Sequence, residues 1–186
     1  LGEGASKGAV SRVRAGEEIL DWHRLLYRRE RPERWQVLTL LLLWPLGEEE
    51  LEPALRGFEL PGKVVVGMAR DRRRARDFAR DLRGGGIPPE DPVAVFEALG
   101  ELGLEGLLAL MAASADGRVR EAVSHYLQHL RGTRPALTGD DLQALGVHQG
   151  PGIGEWLRAL KRARVRGQVH DAADERAWVA AGERPA

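Results

Sequence analysis

Leu137-Thr138-Gly139-Asp140-Asp141-Leu142-Gln143-Ala144-Leu145-Gly146-Val147-His148-Gln149-Gly150-Pro151-Gly152-Ile153-Gly154-Glu155-Trp156-Leu157-Arg158-Ala159-Leu160 reads as helix, glycine turn, helix. Apolar residues recur at helical spacing on both sides of a run in which four of nine residues are glycine. The tandem Asp140-Asp141 suits the positive end of a short helix over about 139–145. A second helix runs over about 151–165. Glycine, without a Cβ, lets a phosphodiester or another helix come close, and the free N–H groups at a helix start favour an anion. Arg158, Lys161 and Arg162 follow one to two turns later. Gly150, Gly152 and Gly154 therefore have two readings, contact with a phosphodiester or a tight turn between packed helices.

Helical spacing also governs the chain on both sides of this stretch, and the only β-branched run is Val64-Val65-Val66. The pattern predicts an all-α protein, a multi-helix array of about ten short-to-medium helices with no sheet. Upstream, helices are predicted over about 9–30, from Pro32 to Pro45, over about 48–56 with Glu48, Glu49 and Glu50 at its positive end, and from Pro61 to about Leu82 before Gly84-Gly85-Gly86. Further helices carry Val93, Phe96 and Leu99, then Leu107 to Met111, then an Asp116-capped stretch through Leu130. A last helix covers about 171–180. The glycine triplet and Pro88-Pro89-Glu90-Asp91-Pro92 mark a boundary, giving three segments: a helical body in two parts, 1–86 and 87–134, and a tail, 135–186.

Composition narrows the function classes. The 186 residues carry 28 basic and 28 acidic side chains, so net charge selects no partner. The absence of cysteine excludes disulfides and thiolate zinc sites. The longest apolar run, Val37 to Leu46, is far below the roughly 20 residues a membrane helix needs. The chain starts at Leu1 without methionine or a signal-like segment, which points to the cytoplasm and to a sequence preceding Leu1. Of the basic residues 25 are arginine, which fits a GC-rich genome and also phosphate recognition.

Charge distribution is more telling than its sum. Between Lys63 and Arg83 lie eight basic and three acidic residues. On a helical wheel Arg73, Arg76, Arg80 and Arg83 follow one flank beside a buried face of Val65, Met68, Ala75, Ala79 and Leu82, with the acids mostly on the opposite flank. Such a stripe grips successive backbone phosphates; equally, Arg–Asp pairs at helical spacing make an ordinary solvated face. Glu121, His125 and His129 are spaced four apart, but no third strong ligand is visible and no metal site is expected. A P-loop and an Asp-x-Asp pair are both absent from the sequence, and no catalytic residue is assigned.

Pro135-Ala136-Leu137-Thr138-Gly139-Asp140-Asp141-Leu142-Gln143-Ala144-Leu145-Gly146, then Gly150-Pro151-Gly152-Ile153-Gly154-Glu155-Trp156-Leu157 and a helix-ending Gly167, resembles the C-terminal region of bacterial tRNA nucleotidyltransferases. These are the CCA-adding, A-adding and poly(A) polymerase-like enzymes. Gln149 stands where many members have proline. Asp21-Trp22, the Leu40–Leu43 stretch, Pro61-Gly62-Lys63 and Arg118–Leu130 follow in family-like order, more loosely. The resemblance implies a helical body and tail that bind tRNA or another RNA 3′ end, while a separate N-terminal head uses Mg2+ and a nucleoside triphosphate. None of the head's motifs matches a position here, so the chain alone is expected to be inactive and to hold no cofactor. Two other readings stay open: a module binding DNA like a helix–hairpin–helix, and a structural segment packing on the head or forming a homodimer.

Overall fold

The computed structural model describes residues 3–182; positions 1–2 and 183–186, the outer ends of the first and third segments, lie outside it. Among the described residues there are ten α-helices and no strand: α1 (Glu3–Leu26), α2 (Arg34–Leu42), α3 (Glu48–Arg56), α4 (Gly62–Gly84), α5 (Pro92–Gly100), α6 (Leu104–Ala113), α7 (Gly117–His125), α8 (Gly139–Ala144), α9 (Pro151–Val165) and α10 (Ala172–Ala180). The all-α expectation is met. Val64-Val65-Val66 lies inside α4, with Val65 buried and Val66 exposed.

The centre is α6. Its residues from Gly106 through Ala112 are all buried, the pattern of a helix covered on every side. Around it pack α1, α2, α4 and α7. Two close approaches fix this arrangement. A Cβ on Gly16 would collide with Leu41 where α1 crosses α2. A Cβ on Gly106 would lie 2.9 Å from the Asp71 Cβ, where α4 crosses α6. Asp71 is nearly buried, and its carboxylate accepts from the Gly103 N–H at 3.0 Å and from Arg70 at 2.9 Å.

Helix ends follow local chemistry. Asp91 accepts from the Val93 N–H at 2.9 Å, Asp116 from the Arg118 N–H at 3.0 Å, and Asp171 from the Ala173 N–H at 2.7 Å. Gly85 ends α4 with φ 79°, a conformation glycine adopts without strain. Three boundaries differ from the sequence reading. The first helix spans 3–26 and not 9–30, because residues 27–33 turn to place the Glu33 N–H 2.9 Å from the Glu105 carboxylate. The second stops at Leu42, short of Pro45, whose ring disfavours helix in the residue before it. The stretch from Asp116 is not uniform: after His125 it widens into a π-helical turn, Tyr126–Leu130, closed by Arg131 N–H to Tyr126 C=O at 2.8 Å.

Two apolar clusters form. The larger runs from Ile19 to Leu130 and includes Val165 at the end of α9. The smaller consists of buried Leu137, Leu142, Leu160 and Val179, with Ile153, Trp156, Leu157 and Trp178 packed against it. Helix α9 thus contributes its first turns to the small cluster and its last residue to the large one.

Candidate nucleic-acid interface

The four stripe arginines, Arg73, Arg76, Arg80 and Arg83, line one surface groove of about 860 Å³ between α4, the start of α3 and the α6–α7 turn. The helical wheel placed them together because 100° per residue puts positions 73, 76, 80 and 83 along one edge. It did not place their partners correctly. Asp77 also lines the groove, and Arg80 bridges Asp77 at 2.8 Å and Asp81 at 3.0 Å, since acids three residues back or one ahead remain within reach of a long guanidinium. The hydrogen bond Arg80 donates to Asp81, and then the charges of Asp81 and Asp77, raise its pKa above the usual value.

Glu48 is the second unforeseen groove residue. The capping role expected of the acidic run falls to Glu50, which accepts from the Gly47 N–H at 2.8 Å. Glu48 instead turns toward α4, meeting Arg72 at 2.9 Å, Arg73 at 3.4 Å and Arg76 at 3.7 Å. Arg72, which the sequence reading did not single out, is fully buried and also donates to the Trp44 carbonyl at 2.8 Å and to that of Leu46. Burial, then the neighbouring Arg76, lowers its pKa. It anchors the α2–α3 connection under the groove. Among the described residues Arg83 forms no ion pair; its Nε donates to the Ala79 carbonyl at 2.9 Å.

The tail cations gather elsewhere. Arg158, Lys161 and Arg162 line a pocket of about 640 Å³ between α9, α5 and the π turn, together with Arg131. Lys161 Nζ sits 4.7 Å from the centre of the Phe96 ring, and Arg162 meets Glu97 at 2.6 Å. Arg131 is held by Glu30 from the α1–α2 connection. Among the described residues Arg158 forms no ion pair. The pocket's acids are Glu97 and Glu101, the latter engaged by Arg74 at 2.9 Å.

In the glycine turn the two readings separate by position. Gly150 has φ 144° and ψ −162°, a conformation that needs glycine, and Pro151 opens α9 behind it. A Cβ at Gly152 or Gly154 would meet no atom within 4 Å, so neither glycine makes room for a neighbouring helix. The glycine that does so is Gly139, where a Cβ would touch the Ile153 side chain at 3.3 Å. Asp141 completes the α8 cap: its carboxylate accepts from the Thr138 N–H at 2.8 Å and hydroxyl at 2.7 Å, which lowers its pKa.

The tail is closed by a residue no motif announced. Glu175 of α10 is fully buried and accepts from the Ala136 N–H at 2.9 Å, the Leu137 N–H at 2.8 Å and the Arg164 guanidinium. Its sequence position, four residues after an Asp cap, looked like ordinary helix acid. As for metals, the His125 and His129 rings lie 5.0 Å apart, but among the described residues no group of three or more His, Asp or Glu side chains could hold an ion. None of the described helices is long and apolar enough to cross a membrane.

The chain is similar to an A-adding tRNA nucleotidyltransferase of Geobacter sulfurreducens, with 30% identity over 173 residues covering 86% of this chain. This similarity supports a relation to that family. It spans only 18% of that relative's length, so the relative's whole activity is not transferred with the likeness. No family model matches the sequence, and no solved structure matches it.

Proposed function

We propose that this chain is the RNA-binding, C-terminal portion of a tRNA nucleotidyltransferase, with catalysis carried by a head outside this sequence. The carrying observation is the convergence of Arg73, Arg76, Arg80 and Arg83 on one groove. Guanidinium groups along a groove contact successive phosphates without reading bases, a mode suited to a substrate recognised by shape. The tail supports the same reading: a second cationic pocket around Arg158, Lys161 and Arg162, and a glycine turn whose Gly152 and Gly154 face no part of their own chain. The similarity to an A-adding enzyme favours tRNA as the RNA. Mg2+ and a nucleoside triphosphate belong to the proposed head, because an Asp-x-Asp pair is absent here.

Fluorescence anisotropy with labelled tRNA tests this reading. Binding is expected to weaken steeply with salt, and to weaken several-fold in Arg76→Glu. Arg83→Ala, which breaks no ion pair among the described residues, is expected to lower the salt slope by about one. Salt-independent binding, unchanged affinity in both variants, or a preference for duplex DNA in competition would overturn it.

A further inference from the structure

A third groove, of about 770 Å³, lies between α7 with its π turn and the proline turn that precedes α5. We infer that it is a base-binding pocket, taking an unpaired nucleobase of an RNA strand whose backbone lies in the arginine groove. This rests on the RNA-binding reading above.

Continuity is the first argument. Asp116 lines the arginine groove, Arg118 lines this one, and the two residues are joined by an ion pair at 3.2 Å. A strand leaving the stripe at Arg83 meets the α6–α7 turn and then this opening. The second argument is the chemistry of the walls. Exposed His125 and His129 present two imidazoles on one side, and Pro89 in the facing turn and Pro92 at the start of α5 stand on the other. Flat rings and proline faces suit stacking with any base. Gln128 and Ser124, hydrogen-bonded to each other at 2.7 Å, bring an amide and a hydroxyl able to meet a base edge. The third argument is charge. Glu90 and Glu121 also line the groove, so its carboxylates outnumber the single Arg118, itself already paired. That balance disfavours a phosphate and leaves the base as the part of the nucleotide that fits. The π turn sets the spacing, displacing Gln128 and His129 from where an uninterrupted α-helix would aim them.

The test uses the full chain and two mononucleotide probes. In proton NMR, 5′-AMP at millimolar concentration is expected to shift the imidazole resonances of His125 and His129, assigned through single His→Gln variants. Ribose 5-phosphate is expected to leave them in place. Ala122→Trp, placed in the groove wall, should abolish the AMP shift and weaken tRNA binding roughly five-fold with an unchanged salt slope. Equal shifts from both probes would make this a phosphate site, and no shift from AMP would remove it; either overturns the inference while leaving the arginine groove untouched. Should AMP shift both histidines while tRNA fails to bind, the base pocket survives and the RNA reading falls. Folding of Ala122→Trp is checked by its helical circular dichroism; if it unfolds, Gln128→Ala with the same readouts decides.

Discussion

The body closes around a buried helix, α6, and a continuous apolar cluster from Ile19 to Leu130, whereas the tail's own cluster joins four buried apolar side chains, Leu137, Leu142, Leu160 and Val179, beside the buried Glu175 carboxylate. Both regions contain an ion pair with a fully buried member, but the pairs do different jobs. Arg72 with Glu48 sits at the edge of a large core and ties down the α2–α3 connection. Glu175 with Arg164 sits inside a small one and holds the entering strand of chain at Ala136 and Leu137 against α10. A cluster as small as the tail's gains little from apolar burial alone, so the polar staple carries a larger share of its stability.

Glu175→Ala strikes at that difference most directly. It leaves the Ala136 and Leu137 N–H groups and the Arg164 guanidinium without their acceptor, a loss expected to cost about 3–5 kcal/mol. Hydrogen exchange should accelerate across peptides of 137–179 while peptides of the α6 region keep their protection. If both regions lose protection together, the tail is not a separate unit of stability and the contrast dissolves.

The body's matching weak point is a steric one. In Gly106→Ala the new methyl would lie 2.9 Å from the Asp71 Cβ, and neither backbone can withdraw without parting α4 from α6. The expected cost is about 1–3 kcal/mol, seen as a lowered Tm of the whole body, with the tail's exchange unchanged. A neutral outcome would mean that the α4–α6 crossing is looser than the Asp71–Gly103 hydrogen bond implies.

The two regions were also unequally readable from the sequence. Helix α9 and the acidic start of α8 follow from local signals: a proline at the first helical position, an acid in the first turn, glycine after the end. The stripe on α4 was legible for the same reason, because one helix's periodicity decides which residues share an edge. Glu48, Arg72 and Glu175 were not, since their partners lie 24, 28 and 38 residues away in the chain and spacing carries no information about such contacts. The π turn was hidden likewise, as Tyr126–Leu130 continues the apolar spacing of α7. Of the two readings of the glycine turn, the surroundings of Gly152 and Gly154 answer only the one that concerns packing: both face open space, so neither makes room for a neighbouring helix.

That answer has a consequence of small size and clear sign. Gly152 and Gly154 lie inside α9, where alanine is preferred over glycine by roughly 0.5–1 kcal/mol, and a methyl at either meets nothing of the chain. Gly152→Ala and Gly154→Ala are therefore expected to raise Tm slightly. If the turn receives a phosphodiester, the same methyls stand in its way, and tRNA affinity should fall even as stability rises. A gain in stability with affinity unchanged would withdraw the glycine turn from the interface and leave the arginine groove as the sole grip. A loss of stability would instead mean that another segment of the chain packs on α9's first turn in solution. Gly150 cannot serve for this test: at φ 144° an alanine is strained whether or not RNA is present, so affinity and folding would fall together.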